Sequence, residues 1–273
     1  MPASSDPRLR FPKAQIAYAA DPRFSYCLHL PTALLEDPKG FRLLIAVHGS
    51  ARGCMAYRDA LAPFADRNRY VVLAPLFPVG ALGDGNPDGY KYIAEGSIRY
   101  DRILLGMIAE VEALLGIAFP RFDLFGFSGG GHFAHRFYYL HPDRLASVSV
   151  GAPGGVTLID DSRDFWIGTR DFAQRFGAPL DLEAMRKVPS QLIIGELDTE
   201  EFVYPSGFAA HSADMASLGR NRLERNATLL RNWLEHSMPA AQTIVPGIAH
   251  AGLSATPAVE RFLENLVNLQ APA

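Results

Sequence analysis

The sequence predicts an α/β protein, a mostly parallel sheet covered by helices on both faces. Three observations carry that expectation. Short apolar runs alternate with longer helical patterns from one end of the chain to the other, the order that builds a parallel sheet. Several runs, such as Leu43 to Val47, are apolar without alternation, as suits a strand buried on both faces. Finally, 48% apolar residues against 20% charged in a chain of 273 leave ample material for a core and exclude disorder through the bulk of the chain.

Each element follows in order. Gln15 to Ala19 and Phe24 to Leu30 read as a strand pair across the Ala20-Asp21-Pro22-Arg23 turn. Leu43 to Val47 and Tyr70 to Ala74 are strands, with a helix over Met55 to Arg67 between them. Leu76 to Glu95 is rich in Gly, Pro and Asp and reads as a long loop. The Arg99 to Leu115 helix aligns Ile103, Met107, Ile108, Val111, Leu114 and Leu115 on one stripe. Strand Phe122 to Gly126 leads into helix His132 to Leu140, and strand Ala146 to Val150 comes next. Residues Gly154 to Val188 exceed what one crossover helix requires and hold Phe165, Trp166, Phe172 and Phe176 among charges. They predict a small helical cap inserted into a single domain over 1–273, since long structured insertions tend to be lids or binding elements. Strands Leu192 to Gly195 and Gln242 to Val245, with helices Arg222 to Ser237 and Ala258 to Leu269, complete the series.

A net charge of −3, from 26 basic and 29 acidic residues, offers no electrostatic footprint for nucleic acid or an anionic membrane. No apolar run approaches the roughly 20 residues of a membrane helix, and Met1 to Lys13 lacks the apolar core of a signal peptide. A cytoplasmic protein acting on a small molecule is the expectation. Cys27 and Cys54 cannot form a disulfide framework or a zinc cluster. One bridge or two buried thiols remain, the thiols being the simpler account.

The strongest local signal is Gly126-Phe127-Ser128-Gly129-Gly130, set where a strand gives way to a helix. This G-x-S-x-G pattern suits a nucleophile elbow, a strained turn that exposes the serine. Side chains two residues before and after would collide; glycines at 126 and 130 remove the collision, and Gly131 widens the space. The turn lifts Ser128 Oγ clear of the sheet and aims the first helical amides at the reacting centre. The plain alternative is a glycine-rich connection; the flanking strand and helix favour the nucleophile.

A hydroxyl is a poor nucleophile near neutral pH and needs a base, itself oriented by a carboxylate. Asp198 stands three residues past the strand-ending Gly195, with Glu196, Glu200 and Glu201 as less well-placed competitors. The Val245 to Gly252 loop follows the next strand, and its glycines let the backbone swing His250 over the sheet edge. Other histidines fit less well. His132 and His135 ride the helix leaving the elbow, His29 belongs to an early strand, His141 precedes Pro142, and His211 and His236 lie before the last strand. Metal ligation by His132 and His135 lacks a supporting carboxylate or cysteine. The charge that develops on a reacting carbonyl oxygen needs two amide donors. Gly129 N–H supplies one; the His48-Gly49-Ser50-Ala51-Arg52-Gly53 loop supplies the other, from Ser50 or, one residue on, Ala51. His48 then supports that loop. Arg52 is either a contact for an acidic substrate group or an ordinary exposed arginine.

Together these residues resemble a serine hydrolase of the α/β-hydrolase superfamily. The resemblance runs from about Phe24 to Leu269 and rests on His48-Gly49, the Gly126 to Gly130 elbow, Asp198 after a strand and His250 before the final helix. It implies a three-layer α/β-hydrolase fold with a mostly parallel sheet of about eight strands, and an acyl-enzyme mechanism. Ser128, Asp198 and His250 would form the triad, Gly129 and Ser50 the oxyanion hole, with no cofactor and no metal. The chain is similar to compact esterases of the depolymerase and dienelactone-hydrolase type, which implies a small-molecule carboxylic ester as substrate. Serine at the elbow argues against haloalkane dehalogenases and epoxide hydrolases, which use aspartate there. The same triad serves amidases, lactonases and carbon–carbon bond hydrolases; a ligand-binding protein that keeps the fold is the reading from another class. Arg52, Phe165 and Trp166 are candidate substrate contacts. Phe165 and Trp166 of the cap, with Tyr90 and Tyr92 of the loop, suggest an apolar or aromatic-lined acyl pocket; equally, these aromatics simply pack the cap onto the body. The oligomeric state is not legible.

One further pattern stands apart. Asp84, Asn86, Asp88, Gly89 and Glu95 fit the spacing of a calcium-binding EF-hand loop. The preceding stretch is no helix, and Lys91 occupies the loop centre. Asx turns in a solvent loop are the favoured account.

Overall fold

Eight strands form one sheet, side by side in the order Gln15–Ala17, Ser25–His29, Tyr70–Leu76, Arg42–Val47, Phe122–Phe127, Leu145–Gly151, Ser190–Gly195 and Ala240–Val245. The computed structural model describes residues 6–11, 13–202 and 213–270, apart from the side chains of Leu35 and Gln270. His211, and residues 1–5 and 12 of the N-terminal stretch, lie outside the described residues. In chain order the elements are β1 (Gln15–Ala17), β2 (Ser25–His29), α1 (Ala33–Glu36), β3 (Arg42–Val47), α2 (Cys54–Asn68) and β4 (Tyr70–Leu76). A small hairpin, β5 (Ala94–Glu95) with β6 (Ile98–Arg99), precedes α3 (Tyr100–Leu115) and β7 (Phe122–Phe127). Then come α4 (Gly129–Leu140), β8 (Leu145–Gly151), α5 (Phe172–Phe176), α6 (Leu182–Met185) and β9 (Ser190–Gly195). The last three are α7 (Arg222–Glu235), β10 (Ala240–Val245) and α8 (Thr256–Gln270).

β1 and β2 run antiparallel to each other, and β2 antiparallel to β4; every other neighbouring pair is parallel. The reason is visible in the strands themselves. Leu43, Ile45 and Val47 of β3 pack into the cluster that holds Leu104, Met107 and Val111 of α3, Phe133 and Phe137 of α4, and Trp233 of α7. Leu44 and Ala46 point the other way, into a second cluster with Leu61 and Phe64 of α2 and Val259 and Leu263 of α8. Apolar side chains on both faces demand a helical layer on each side.

Two stretches carry less regular structure. Residues 77–93 contain only a short 3-10 turn, Gly89–Tyr92, before the β5–β6 hairpin. Residues 154–188 hold α5 and α6, of five and four residues, in otherwise irregular chain. Cys27 and Cys54 are buried free thiols with their sulfurs 3.8 Å apart. Among the described residues no helix is long and apolar enough to cross a membrane.

The parallel strands set the stage for chemistry by ending together. Loops after the carboxyl ends of such strands line the crevice where open α/β sheets bind ligands. The ends of β3, β7, β9 and β10 deliver residues 48–53, Ser128, Asp198 and His250.

Candidate active site

Ser128 sits between β7 and α4 at φ 57°, ψ −116°, a conformation an L-residue adopts only at a cost of about 1–3 kcal/mol. The surroundings hold it there. Its amide donates to Gly151 O at 2.8 Å, and its carbonyl accepts from His132 N at 3.0 Å. A β-carbon on Gly126 would collide with the carbonyl oxygen of Gly130, and one on Gly130 with that of Val47. The two glycines therefore let the elbow close onto β3 and onto itself.

His250 and Asp198 complete a continuous chain of hydrogen bonds. Ser128 Oγ lies 2.9 Å from His250 Nε2, and Asp198 Oδ2 lies 2.6 Å from His250 Nδ1. An ionised carboxylate only accepts, so Nδ1 carries the proton and Nε2 is left to accept from the serine hydroxyl. The β9 and β10 loops that carry the two residues are tied together: Glu196 N donates to Val245 O, and Leu197 N to Ile248 O, both at 2.9 Å. Phe127 stacks obliquely on the imidazole, ring centroids 5.0 Å apart.

Asp198 has a second partner that sequence reasoning missed. Arg222, the first residue of α7, donates from Nη1 to Asp198 Oδ1 at 3.0 Å. Asn221 caps that helix by accepting from Glu224 N at 2.9 Å, which fixes where Arg222 begins. Its guanidinium lies over the Phe202 ring at 4.5 Å, and Glu200 stands 3.9 Å away. Burial pushes the Asp198 carboxyl up, but the hydrogen bonds and charges of His250 and Arg222 outweigh it and hold the group below its ordinary value. No local pattern marks Arg222; only its position at a helix start facing the β9 loop could have hinted at it.

The opposite wall is the 48–53 loop. A β-carbon on Gly49 would stand 3.4 Å from Ser128 Cβ, so this loop flanks the nucleophile candidate directly. His48 is fully buried and holds the loop in shape. Its Nε2 accepts from Phe77 N at 3.0 Å, which leaves Nδ1 to donate to Gly49 O at 2.8 Å. Burial lowers this imidazole to about 4, keeping it neutral. Arg52, at φ 58°, donates to Ser50 O at 2.6 Å, to Phe77 O at 3.3 Å and to Pro87 O. Its guanidinium also lies over the Tyr90 ring at 5.1 Å. Arg52 thereby ties the Ser50 loop to the next segment.

The remaining candidates sit farther along α4. His132 Nε2 accepts from Gly155 N and His135 Nε2 from Thr157 N, each at 3.0 Å. Burial drives both imidazoles well below their ordinary value, so these rings are engaged as neutral acceptors. Trp166 is buried against Tyr92, His132 and Gly155, while half-buried Phe165 stacks on Phe172 and Phe176. Arg136 of α4 lies over Phe165 and Trp166, and Tyr139 of α4 meets Phe172, which packs residues 154–188 onto that helix. The EF-hand-like residues form Asx turns: Asp84 accepts from Asn86 N at 3.0 Å, and Asn86 from Asp88 N at 2.9 Å. Asp88 binds Lys91, and Glu95 accepts from Asn86 and Tyr100. No group of three or more His, Cys, Asp or Glu among the described residues could hold a metal ion.

No family model matches this chain, and no curated protein does. Solved structures do. It is similar to poly(aspartic acid) hydrolase-1 from Sphingomonas sp. KT-1, with 21% identity and a TM-score of 0.70, covering 88% of this chain and 92% of that one. It is similar also to a poly(3-hydroxybutyrate) depolymerase from Bordetella parapertussis, at 21% identity and a TM-score of 0.68, covering 92% and 87%. An S-formylglutathione hydrolase from Agrobacterium tumefaciens aligns at 14% identity and a TM-score of 0.54, over 90% and 89%.

Proposed function

From the α/β-hydrolase fold that the chain shares with these proteins, we propose that it is a serine hydrolase that cleaves a carboxylic ester of a small molecule through an acyl-enzyme. One observation carries the reading: the unbroken hydrogen-bond chain from Ser128 Oγ through His250 to Asp198, with the serine held at φ 57°. A structural serine has no use for that combination. Ser128 Oγ attacks the ester carbonyl while His250 Nε2 takes its proton. The carbonyl electron pair moves onto oxygen, which the Gly129 and Ser50 amides receive. Collapse of the tetrahedral adduct breaks the bond to the alcohol, which leaves with the proton from His250. Water then enters, gives a proton to His250 and attacks the acyl carbon; collapse frees the acid and returns the proton to Ser128. Asp198 stays ionised throughout and holds Nδ1–H, in keeping with the depressed carboxyl described above. Residues 154–188 serve as the cap insertion of this single domain.

Ser128→Ala is expected to abolish turnover of short p-nitrophenyl esters, and labelling by a fluorophosphonate, without lowering the melting temperature by more than a few degrees. Activity that survives the substitution overturns the reading. Wild-type protein that neither turns over esters nor labels at Ser128 would point instead to a ligand-binding protein on this fold. Amide hydrolysis is a second reading, favoured by the likeness to a poly(aspartic acid) hydrolase; a matched panel of esters and amides separates the two.

A further inference from the structure

Gly129 is the elbow residue whose amide is assigned to the oxyanion. A β-carbon there would run into the hydroxyl of Tyr90 and stand 3.0 Å from Lys91 Cε. Gly129 thus leaves room for a phenol brought in from the 77–95 segment. Its hydroxyl also reaches the other wall of the site. It lies 3.4 Å from His48 O. One oxygen therefore stands between the two backbone segments from which both amide donors are drawn.

The ring has little freedom to leave. It packs against His48 at 5.1 Å and Phe77 at 5.5 Å between centroids, with the Arg52 guanidinium over its face. The side chain is 1% exposed. Behind it, Lys91 is paired with Asp88, Arg136 donates to Lys91 O, and Arg52 donates to Pro87 O. The hydroxyl proton, by contrast, makes a long contact to His48 O, at a distance where hydrogen bonding is weak.

We propose that the Tyr90 hydroxyl is a third donor to the oxyanion, beside the Gly129 and Ser50 amides. The assignment rests on the ester-hydrolase reading. When Ser128 Oγ bonds to the carbonyl carbon, the developing oxygen anion is a far better acceptor than the distant His48 carbonyl, and the O–H turns to it. Because the donor is fixed beforehand, little reorganisation is needed during the reaction. Burial raises the phenol well above its ordinary value, so the proton to be donated is present across the working pH range.

Tyr90→Phe removes the hydroxyl and keeps the ring. The expected result is a fall in kcat of roughly 10²–10³-fold toward p-nitrophenyl esters, the loss typical of one oxyanion donor. KM should stay within about threefold, because the interaction forms only in the transition state. Phenylboronic acid, which forms a tetrahedral adduct on Ser128 Oγ, should bind the variant more weakly by a comparable factor. A kcat within about threefold of wild type overturns the proposal. So does a lower kcat with unchanged boronate affinity, because that pattern marks a merely structural role. A crystal structure of the wild-type boronate adduct tests it without any variant: Tyr90 Oη within about 3.2 Å of a boronate oxygen supports the assignment, and a separation beyond hydrogen-bond reach sinks it. If wild type turns over no ester, the hydrolase reading fails by itself, and the adduct still decides on Tyr90.

Discussion

The 77–95 and 154–188 segments both leave the regular βα rhythm, and both are anchored on α4 beside the elbow, yet they are built differently. The first is held by directional polar bonds: Asx turns at Asp84 and Asn86, Glu95 accepting from Asn86 and Tyr100, and Arg52 on Pro87 O. The second has polar bonds of its own, Ile159 N donating to Asn232 and Phe165 N to Asp171, and adds a ring cluster of Phe165, Phe172 and Phe176 at 4.7 to 6.4 Å between centroids. Directional bonds fix the position of a single oxygen; ring packing buries area and tolerates small shifts. The ring cluster is what sets the second segment apart, while the first brings the Tyr90 hydroxyl beside Gly129.

Both segments nevertheless share one device, a buried neutral imidazole whose Nε2 accepts a backbone amide. His48 takes Phe77 N for the first segment; His132 and His135 take Gly155 N and Thr157 N for the second. All three are depressed by burial, His48 to about 4. The unfolded chain, with histidines near their ordinary 6.5, binds protons that the folded chain refuses, so stability is lost as pH falls below about 6.5. For His48 the loss continues down to about 4; for the other two it continues lower. Each contributes a slope of up to about 1.4 kcal/mol per pH unit. This is the largest effect expected here. Urea midpoints measured at pH 7, 6 and 5 should fall steeply, and His135→Asn should reduce the slope by about one proton. A flat profile from pH 7 to 5 contradicts the neutral, buried assignment.

One buried side chain bonds to both segments. Arg136, fully buried on α4, donates to Lys91 O of the first at 2.5 Å and to Thr157 Oγ1 of the second at 2.9 Å. It also lies over Tyr92, Phe165 and Trp166 at 4.7 to 5.6 Å. Arg136→Met keeps apolar volume and removes the fork, and should destabilise by about 2–4 kcal/mol. Lysine should not rescue it, having a point charge where a planar donor set is used. Amide exchange read at Lys91 and at Leu158, whose N–H groups donate to Asp88 O and Ile167 O, sharpens the comparison: protection should fall in both segments together. Loss confined to one shows that they are independently held.

How much of this was open to sequence reasoning follows from what kind of contact is involved. The strand series, the layered sheet and the Gly126 to Gly130 elbow are written in local patterns, because periodicity and turn sterics act over a few residues. Asp198 and His250 could be picked out because each follows the end of a strand, and parallel strands that end together bring such loops to one crevice. The structure sets them within hydrogen-bond distance of Ser128's neighbourhood as described. Arg222 leaves no such trace, and Tyr90 leaves only its place among the loop aromatics, not its role. Tyr90 meets His48 across 42 residues, Arg222 meets Asp198 across 24, and nothing in either neighbourhood specifies the pairing. Arg52 stood in a plausible place for an anion, but its positive φ and its three carbonyl acceptors depend on how the 77–95 segment folds back.

The smallest expected effect is none at all, and it bears on what the 77–95 segment is for. Its EF-hand spacing invites calcium, yet the oxygens that would coordinate the ion already have partners. Asp84 and Asn86 accept backbone amides two residues on, Asp88 carries the Lys91 ammonium, and the two oxygens of Glu95 take Asn86 and Tyr100. A calcium ion needs six to eight oxygen ligands at about 2.3–2.6 Å, so binding would have to break this network and displace a buried lysine. Breaking it would also release the support of Tyr90, so a calcium-loaded loop and a fixed phenol exclude each other. Addition of millimolar calcium chloride is therefore expected to leave both the melting temperature and kcat unchanged. A rise of several degrees, reversed by chelator, would mean that the segment is a metal site, and that its polar bonds serve the ion rather than the hydroxyl beside Ser128.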